Sequence, residues 1–515
     1  MPSPRPASPH ATALSAVASL VGGTTTGTDV EVTGVTLSSQ DVLEGDLYAA
    51  LPGANTHGAR YAAGALAAGA VAVLTDAAGE QVLAEEGVDL PCVVVEDPRG
   101  VVGAVAREVY GTADPALRLV GVTGTNGKTT TAYLVNSALT ALGRTTGLIG
   151  TVETRIGDER VKSMRTTPEA TVLHALLAVM AERGVDFCVM EVSSHALSQH
   201  RVDGVVYDVA LFTNLSQDHL DFHPTMRDYF LAKASLFTPE RSRRGIVCVD
   251  DAWGRELADI ATVPVTTLTS LAGVEADWRL VPGEDPSAFT LSDSATTLAL
   301  RSALPGDFNR VNTAMAALAL MASGITADDA ERALLVDPHV PGRMERVTPA
   351  AEDADPSLPL VVVDYAHTPD AVAAALAALR PATTGALVVV LGAGGDRDRG
   401  KRTAMGRAAA TGADVVVVTD DNPRSEDPAA IRRAVLEGAR GAGTGAELHD
   451  VEGRATAIEA AVRAAHRRGP GSVVAVVGKG HETGQEVAGT VHPFDDRVEA
   501  AKALDAITLD RGGVA

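Results

Sequence analysis

The chain has 515 residues, 46 % apolar and 21 % charged, a globular composition too long for a single ordinary core. Its formal net charge is −23, from 66 acidic against 43 basic side chains, which excludes general binding to nucleic acid or anionic lipid. Any anionic substrate must therefore meet a local basic pocket or a metal ion.

Near the N-terminus, Leu14, Val17 and Leu20 keep helical spacing after a short Pro/Ser tail, and the chain then runs directly into VEVTGVTLSSQDVLEGDLYAAL. This reads as a surface helix and not as a signal peptide, and no apolar stretch approaches the length that spans a bilayer. From about 29 to 110, short β-branched runs (VEVTGVTL, AVAVLT, CVVVED) alternate with Ala-rich helical stretches, a small α/β unit closed by the linker GTADPAL. Cys92, Cys188 and Cys248 each sit in a short apolar run, so they read as core residues in a reducing cytosol, with neither disulfide nor zinc spacing.

The second region opens with the strand RLVGVTG, a glycine loop and a helix from Lys128. Thr167 followed by Pro168 predicts a helix start, with Thr167 as N-cap. Strands DFCVMEVSS and DVALFTNLS follow, then a helix over TMRDYFLAKASLF, a weakly patterned stretch from about 255 to 305, and helical periodicity in NRVNTAMAALALMASG. The third region has four near-continuous apolar runs, LVVVDYAH, GALVVVLGAGG, DVVVVTDDNP and SVVAVVGKGHE, separated by helical stretches. That alternation predicts a parallel, doubly wound sheet.

Chemistry concentrates at strand ends. Gly124, Thr125, Asn126, Gly127, Lys128, Thr129 and Thr130 lie between a strand and a helix, where backbone N–H groups and the helix N-terminus cradle phosphates. Lys128 would reach the β/γ-phosphates and the Thr129 hydroxyl would bind Mg²⁺. Val122 stands where the standard motif has its first glycine. Glu191 ends a strand where an acidic group can meet the metal. Ser193, Ser194, His195, Gln199, His200, Arg201, Asn214, Asp218, His219, Asp221 and His223 then crowd into a short span, which reads as a metal and substrate site short of one anionic ligand. In the third region GAGGDR is no dinucleotide fingerprint, because Arg397 takes the third glycine's place.

GTNGKTT, EVSSHALSQHRV, NLSQDHLDFH, LAKASLF, FNRVN, PGRMERV, DYAHTPD and DNPR, in this order, resemble the Mur ligases over nearly the whole chain. The resemblance implies three α/β domains: 1–112 binding the UDP-substrate, a central P-loop ATPase-like parallel sheet over 113–345, and a Rossmann-like, doubly wound amino-acid domain over 346–515. It implies an ATP-dependent amide ligase of peptidoglycan precursor synthesis, a cytoplasmic monomer that neither binds nucleic acid nor inserts in a membrane. ATP would phosphorylate the D-glutamyl carboxylate of UDP-N-acetylmuramoyl-L-alanyl-D-glutamate, and meso-diaminopimelate would attack the acyl phosphate. The alternatives are L-lysine as the amine, a folylpolyglutamate-synthase-like ligase, or a protein that binds ATP without ligation.

Site residues follow from the same resemblance. One Mg²⁺ goes with Thr129 and Glu191, a second with His219 and Lys233, whose amine would be carbamylated. From its sequence alone, Lys233 is a mid-helix residue that would ordinarily be solvated; its apolar flanks favour a neutral amine. Asn309, Asn312, Arg343, Asp364 and His367 join the P-loop as nucleotide contacts, although Asn309 and Asn312 also suit helix-start capping. Leu37, Ser39, Asn55 and Thr56 would meet the uridine part, with Ser38-Ser39-Gln40 replacing the Asp-Ser-Arg of many relatives. Thr166, Thr167, Ser193, Gln199 and Arg201 would meet the muramoyl peptide. Arg397, Asp421, Asn422, Pro423, Arg424, Gly478 and Glu482 would hold diaminopimelate, with Arg424 on its far carboxylate unless it merely pairs with Glu426 or Asp427.

Overall fold

The computed structural model describes residues 4–349 and 357–512, so most of the short Pro/Ser tail is included while Met1–Ser3 lie outside the described residues. Three sheets carry the chain. In the N-terminal unit, Gly34–Thr36, Asp46–Ala49, Ala72–Thr75 and Cys92–Val94 run parallel, and Thr24–Thr26 closes the edge antiparallel. Helix Leu14–Val21 buries Leu14, Val17 and Ala18, while Leu20 faces solvent; Ala18 takes the inward place that spacing had assigned to Leu20.

The central sheet has eleven strands. Its middle is parallel, with Arg118–Thr123 between Phe187–Glu191 and Val209–Phe212. Period-two alternation sends Val120, Val122, Val189 and Leu211 to one face, against helices Lys128–Ala141 and Asp307–Ala322. Leu119, Cys188, Met190 and Phe212 go to the other face, against helix Ala170–Glu182. All three cysteines are buried. The weakly patterned stretch holds strands Trp278–Pro282, Ala288–Ser292 and Thr297–Arg301, whose antiparallel pairing extends the sheet. Their one-sided burial makes the apolar runs short and interrupted, which hid them.

One helix start differs from expectation. Helix Ala170–Glu182 is preceded by Glu169 at the cap, and Thr167 instead donates its hydroxyl to Glu191 O at 2.8 Å. The tertiary hydrogen bond wins over local capping because Thr167 is buried against the strand end.

In the C-terminal sheet, Leu360–Asp364, Val473–Val477, Leu387–Leu391, Val415–Val418 and Glu447–Asp450 lie parallel in that order. The edge strand Glu345–Val347 pairs antiparallel with Leu360–Asp364, so a division at 345/346 would cut it and the chain enters this sheet slightly earlier. Both faces are covered, by helices Pro369–Leu379, Lys401–Gly412 and Pro428–Gly441 on one side and Arg454–Arg467 and Asp496–Gly512 on the other. The carboxyl end of Leu360–Asp364 and the loop after it share a cleft with the P-loop.

Candidate active site

The loop between Arg118–Thr123 and Lys128–Ala141 can follow its path only with glycine at two places. Gly124 has φ +145° and an added Cβ would lie 1.9 Å from Thr213 Oγ1; Gly127 has φ +88° and a Cβ would lie 2.5 Å from Asn312 Oδ1. Position 122 points into the core, so valine serves there. The Lys128 ammonium donates to Gly124 O and Thr125 O at 3.0 and 2.9 Å, folded back over the phosphate cradle. Beside it, the buried Glu191 carboxylate accepts from Thr129 Oγ1 at 2.9 Å, from Thr151 Oγ1 at 3.1 Å and from Thr151 N at 2.7 Å. Thr151 was not singled out in the sequence, because only the neighbouring-strand register brings it here.

Lys233 is buried, not solvated: 1 % of its surface is exposed. Its amine donates to the same Gly124 carbonyl at 2.7 Å and stands 4.7 Å from the centre of the Tyr229 ring. Burial first, and then the charge of Lys128, push the Lys233 amine well below its ordinary pKa. An aromatic box stands next to it. His195 stacks on Phe222 at 4.1 Å and meets the His219 ring edge-on at 4.8 Å, and Tyr229 lies 5.0 Å from His223. His223 is buried against Ser194 Oγ at 2.9 Å, and burial lowers its pKa to about 4. Among the described residues no three His, Cys, Asp or Glu side chains converge as a metal cage. Glu191 with its threonine oxygens is nevertheless an oxygen donor set of the kind Mg²⁺ takes alongside phosphate oxygens.

A cleft of about 500 Å³ opens between the P-loop and the C-terminal unit, lined by Asn126, Gly127, Thr130, Asn309, Asn312, Arg343, Asp364 and His367 among others. Asn309 and Asn312 do not cap their helix, whose N-cap is Gly306; Asn309 Nδ2 donates to Pro305 O and Asn312 Nδ2 to Asn309 Oδ1. Arg343 crosses from the PGRM turn to Thr129 Oγ1 at 3.1 Å and lies over the Tyr365 ring. His367 stands 3.7 Å from Asp218. Burial would raise the Asp218 carboxyl, but the neighbouring His367, His219 and Lys401 hold it well below the usual range.

Thr166, Thr167, Ser193, Gln199 and Arg201 gather at the end of strand Phe187–Glu191. Thr166 Oγ1 meets Thr151 Oγ1 at 3.0 Å, Ser193 N donates to Thr167 Oγ1 at 3.1 Å, and Arg201 pairs both with Gln199 and with Glu169. Glu169 also binds Arg99 of the N-terminal unit at 2.9 Å, which links this group to the first domain. Leu37 and Ser39 lie on the loop after Gly34–Thr36, and the exposed Asn55 and Thr56 on the loop after the neighbouring Asp46–Ala49.

In the C-terminal unit the strand-end motifs interlock. Lys479, fully buried, donates to Asn422 Oδ1 and Glu482 Oε2, each at 3.0 Å, and Asn422 Nδ2 donates to Glu482 Oε2 at 2.8 Å. Gly478 has φ +118° and faces Asp421. Arg397 reaches Asp221 of the central unit at 3.5 Å. Arg424 does not pair with Glu426 or Asp427. Glu426 is taken by Arg402 and Arg399, and Asp427 caps helix Pro428–Gly441; Arg424 pairs with Glu486 at 3.3 Å. Pro423 O lies against Gly395, tying the DNPR and GAGG loops together. Lys479 and Glu486 escaped the sequence reading, since a lysine and a glutamate in polar loops carry no local signal.

A P-loop, a buried carboxylate beside its threonine, a cleft shared with the C-terminal unit and an N-terminal unit tied in through Arg99 and Glu169 define a three-domain P-loop enzyme of the ligase type. Family profiles agree along the chain: "Mur ligase family, catalytic domain" matches 31–110, "Mur ligase middle domain" 122–321 and "Mur ligase, glutamate ligase domain" 342–480. A Streptomyces avermitilis protein named UDP-N-acetylmuramoyl-L-alanyl-D-glutamate–2,6-diaminopimelate ligase is 51 % identical, over 97 % of this chain and 98 % of its own length. A Leifsonia xyli protein named UDP-N-acetylmuramyl-tripeptide synthetase is 49 % identical, over 97 % of each. A solved structure of a UDP-N-acetylmuramoyl-L-alanyl-D-glutamate–2,6-diaminopimelate ligase superposes with a TM-score of 0.64 at 32 % identity, over 93 % of this chain and 96 % of that one. The chain belongs to the Mur ligase family.

Proposed function

We propose that this Mur ligase joins meso-diaminopimelate to UDP-N-acetylmuramoyl-L-alanyl-D-glutamate, converting ATP to ADP and phosphate, as a cytoplasmic monomer in peptidoglycan precursor synthesis. Relatives about half identical over nearly the whole chain bear that activity in their names. The observation that carries the choice of amine is Arg424, a guanidinium held beside the Asn422–Lys479–Glu482 network at the C-terminal strand ends. Among the described residues no helix is long and apolar enough to cross a membrane.

The two steps are charge problems. A carboxylate must attack a phosphoryl group that already carries negative charge, so fixed cations must neutralise what develops. Lys128 supplies one. Thr129 with Glu191, and His219 with a carbamate on Lys233, would hold Mg²⁺, which when bound supplies the remaining neutralisation. Lys233 suits that modification because its amine is buried and disfavoured as a cation, and only a neutral amine adds CO₂. The displaced oxygen leaves as ADP, giving an acyl phosphate; the diamino acid's amine attacks its carbonyl, and phosphate departs. The remaining P-loop residues with Asn309, Asn312, Arg343, Asp364 and His367 bind and enclose the nucleotide. Leu37, Ser39, Asn55 and Thr56 take the uridine part, and Thr166, Thr167, Ser193, Gln199 and Arg201 the muramoyl peptide. Arg397, Asp421, Asn422, Pro423, Arg424, Gly478 and Glu482 take the amine substrate, in domains divided near 112 and just before 345.

L-Lysine lacks the far carboxylate and would leave the Arg424 donors not used by Glu486 and Gly395 without an anionic partner, a discrimination on the order of 10³-fold. Product mass and kcat/KM with the two amines test this. Diaminopimelate should be the substrate, and Arg424→Ala should lose most of that activity and narrow the gap to lysine. Comparable kcat/KM for both amines in the unmodified enzyme would overturn the assignment.

A further inference from the structure

Arg424 sits in the left-handed region, φ +51°, a conformation that must be held by its surroundings. What holds it is a segment sixty residues later, the hairpin Gly484–Val487 and Thr490–Pro493. Arg424 N donates to Glu486 O at 3.0 Å and Ala488 N to Arg424 O at 2.7 Å, so Arg424 pairs with this hairpin as a one-residue strand. Gln485 Nε2 donates to Asp421 O at 2.6 Å, and Glu486 N to Asn422 Oδ1 at 3.0 Å. The DNPR loop is thus laid on residues 485–488.

The side chain is held as well as the backbone. Glu486 Oε2 lies 3.3 Å from Arg424 Nε, and Arg424 Nη1 donates to Gly395 O at 2.7 Å. An ion pair and a hydrogen bond, to two different segments, hold the guanidinium. Its Nη2 hydrogens, with the second hydrogen on Nη1, are the donors left for an incoming carboxylate, which prefers a bidentate pair. Glu486 is two-fifths exposed, so its Coulomb attraction is weak and its effect is one of orientation. Glu426 and Asp427, adjacent in sequence, are already committed to Arg402 and to a helix cap, and cannot substitute.

We infer that Glu486 is a positioning and specificity-determining residue of the amine site, acting through Arg424 to present its guanidinium to a substrate carboxylate. This rests on the function proposed above. The test is steady-state kinetics on the full-length enzyme with Glu486→Ala and Glu486→Gln, varying diaminopimelate, lysine, ATP and the UDP-muramoyl dipeptide in turn. Loss of the ion pair that orients the guanidinium should raise KM for diaminopimelate roughly tenfold in Glu486→Ala, with kcat and the other two substrates' KM within about twofold. Activity with lysine, which has no far carboxylate, should not fall. Glu486→Gln keeps an oxygen of the same reach facing the guanidinium and should recover most of the loss. An unchanged or lowered KM for diaminopimelate in Glu486→Ala, or an equal rise for all three substrates, overturns the inference while leaving the proposed function intact. Failure of the unmodified enzyme to use diaminopimelate would overturn both.

Discussion

Lys233, proposed above to carry a carbamate, shows how such a role would oppose stability at one residue. Unfolded, its amine is an ordinary lysine; folded, burial holds its pKa well below that value. Between the two values the unfolded chain binds a proton that the folded chain does not, so this residue lowers stability as pH falls below its unfolded pKa. Lys233→Met should therefore stabilise the protein at pH 7 by on the order of 1 kcal/mol while abolishing turnover. In bicarbonate-free buffer, the unmodified protein should gain stability from pH 7 toward pH 10 relative to the variant. Denaturant titration at the two pH values checks this, and a variant that is less stable at pH 7 would sink it. Lys128 converges on the same carbonyl, and desolvation likewise lowers its pKa.

At the scale of elements, helix Ala170–Glu182 carries a buried histidine that joins three segments. His174 Nδ1 meets the Thr112 hydroxyl, and Nε2 lies 3.0 Å from Asp203 O, so the neutral ring donates through Nε2 and accepts through Nδ1. Burial lowers its pKa to about 4. Above pH 6.5 neither state protonates it; below, the unfolded chain does so first, and stability falls until about pH 4. That contribution is about 2–3 kcal/mol between pH 7 and 4.5. His174→Gln, neutral throughout, should lose less stability over the same interval, measured by urea unfolding; equal losses would refute the argument. The fold was legible where elements are long and buried on both sides, as in the C-terminal sheet. It was illegible over 278–301, where strands are short and half-exposed.

At the scale of the whole molecule, few polar contacts among the described residues join the C-terminal unit to the central one at the site. His367 meets Asp218, Arg397 Asp221, and Lys162 Thr483 Oγ1 at 2.7 Å, while Arg343, on the turn that leads into the C-terminal sheet, meets Thr129. The exposed contacts, Arg397–Asp221 and Lys162–Thr483, contribute about 0–1 kcal/mol each, and with only two more buried ones beside them they are too little to hold two domains rigidly. A nucleotide bound in the cleft between them, as proposed above, would add contacts to both. The radius of gyration from small-angle scattering should therefore fall when a nonhydrolysable ATP analogue and the UDP-muramoyl dipeptide are added together. An unchanged radius would show that the domains do not close on their ligands.

By itself the sequence determined the P-loop, the order of the α/β units and most of the candidate residues, because those signals are local: a glycine loop between strand and helix, or polar motifs at the ends of apolar runs. It also placed Glu191 beside the P-loop, since strand ends share an edge. Tertiary structure alone decided the partners. Thr167 left its expected cap for Glu191 O, Thr151 joined that carboxylate through strand register, and Lys233 became buried although its helix is otherwise unremarkable. Arg424 turned from its sequence neighbours to Glu486, and Lys479 became the buried tie between Asn422 and Glu482. Such pairings join residues tens of positions apart, and their energy depends on burial and strand order, neither of which is encoded at any one site.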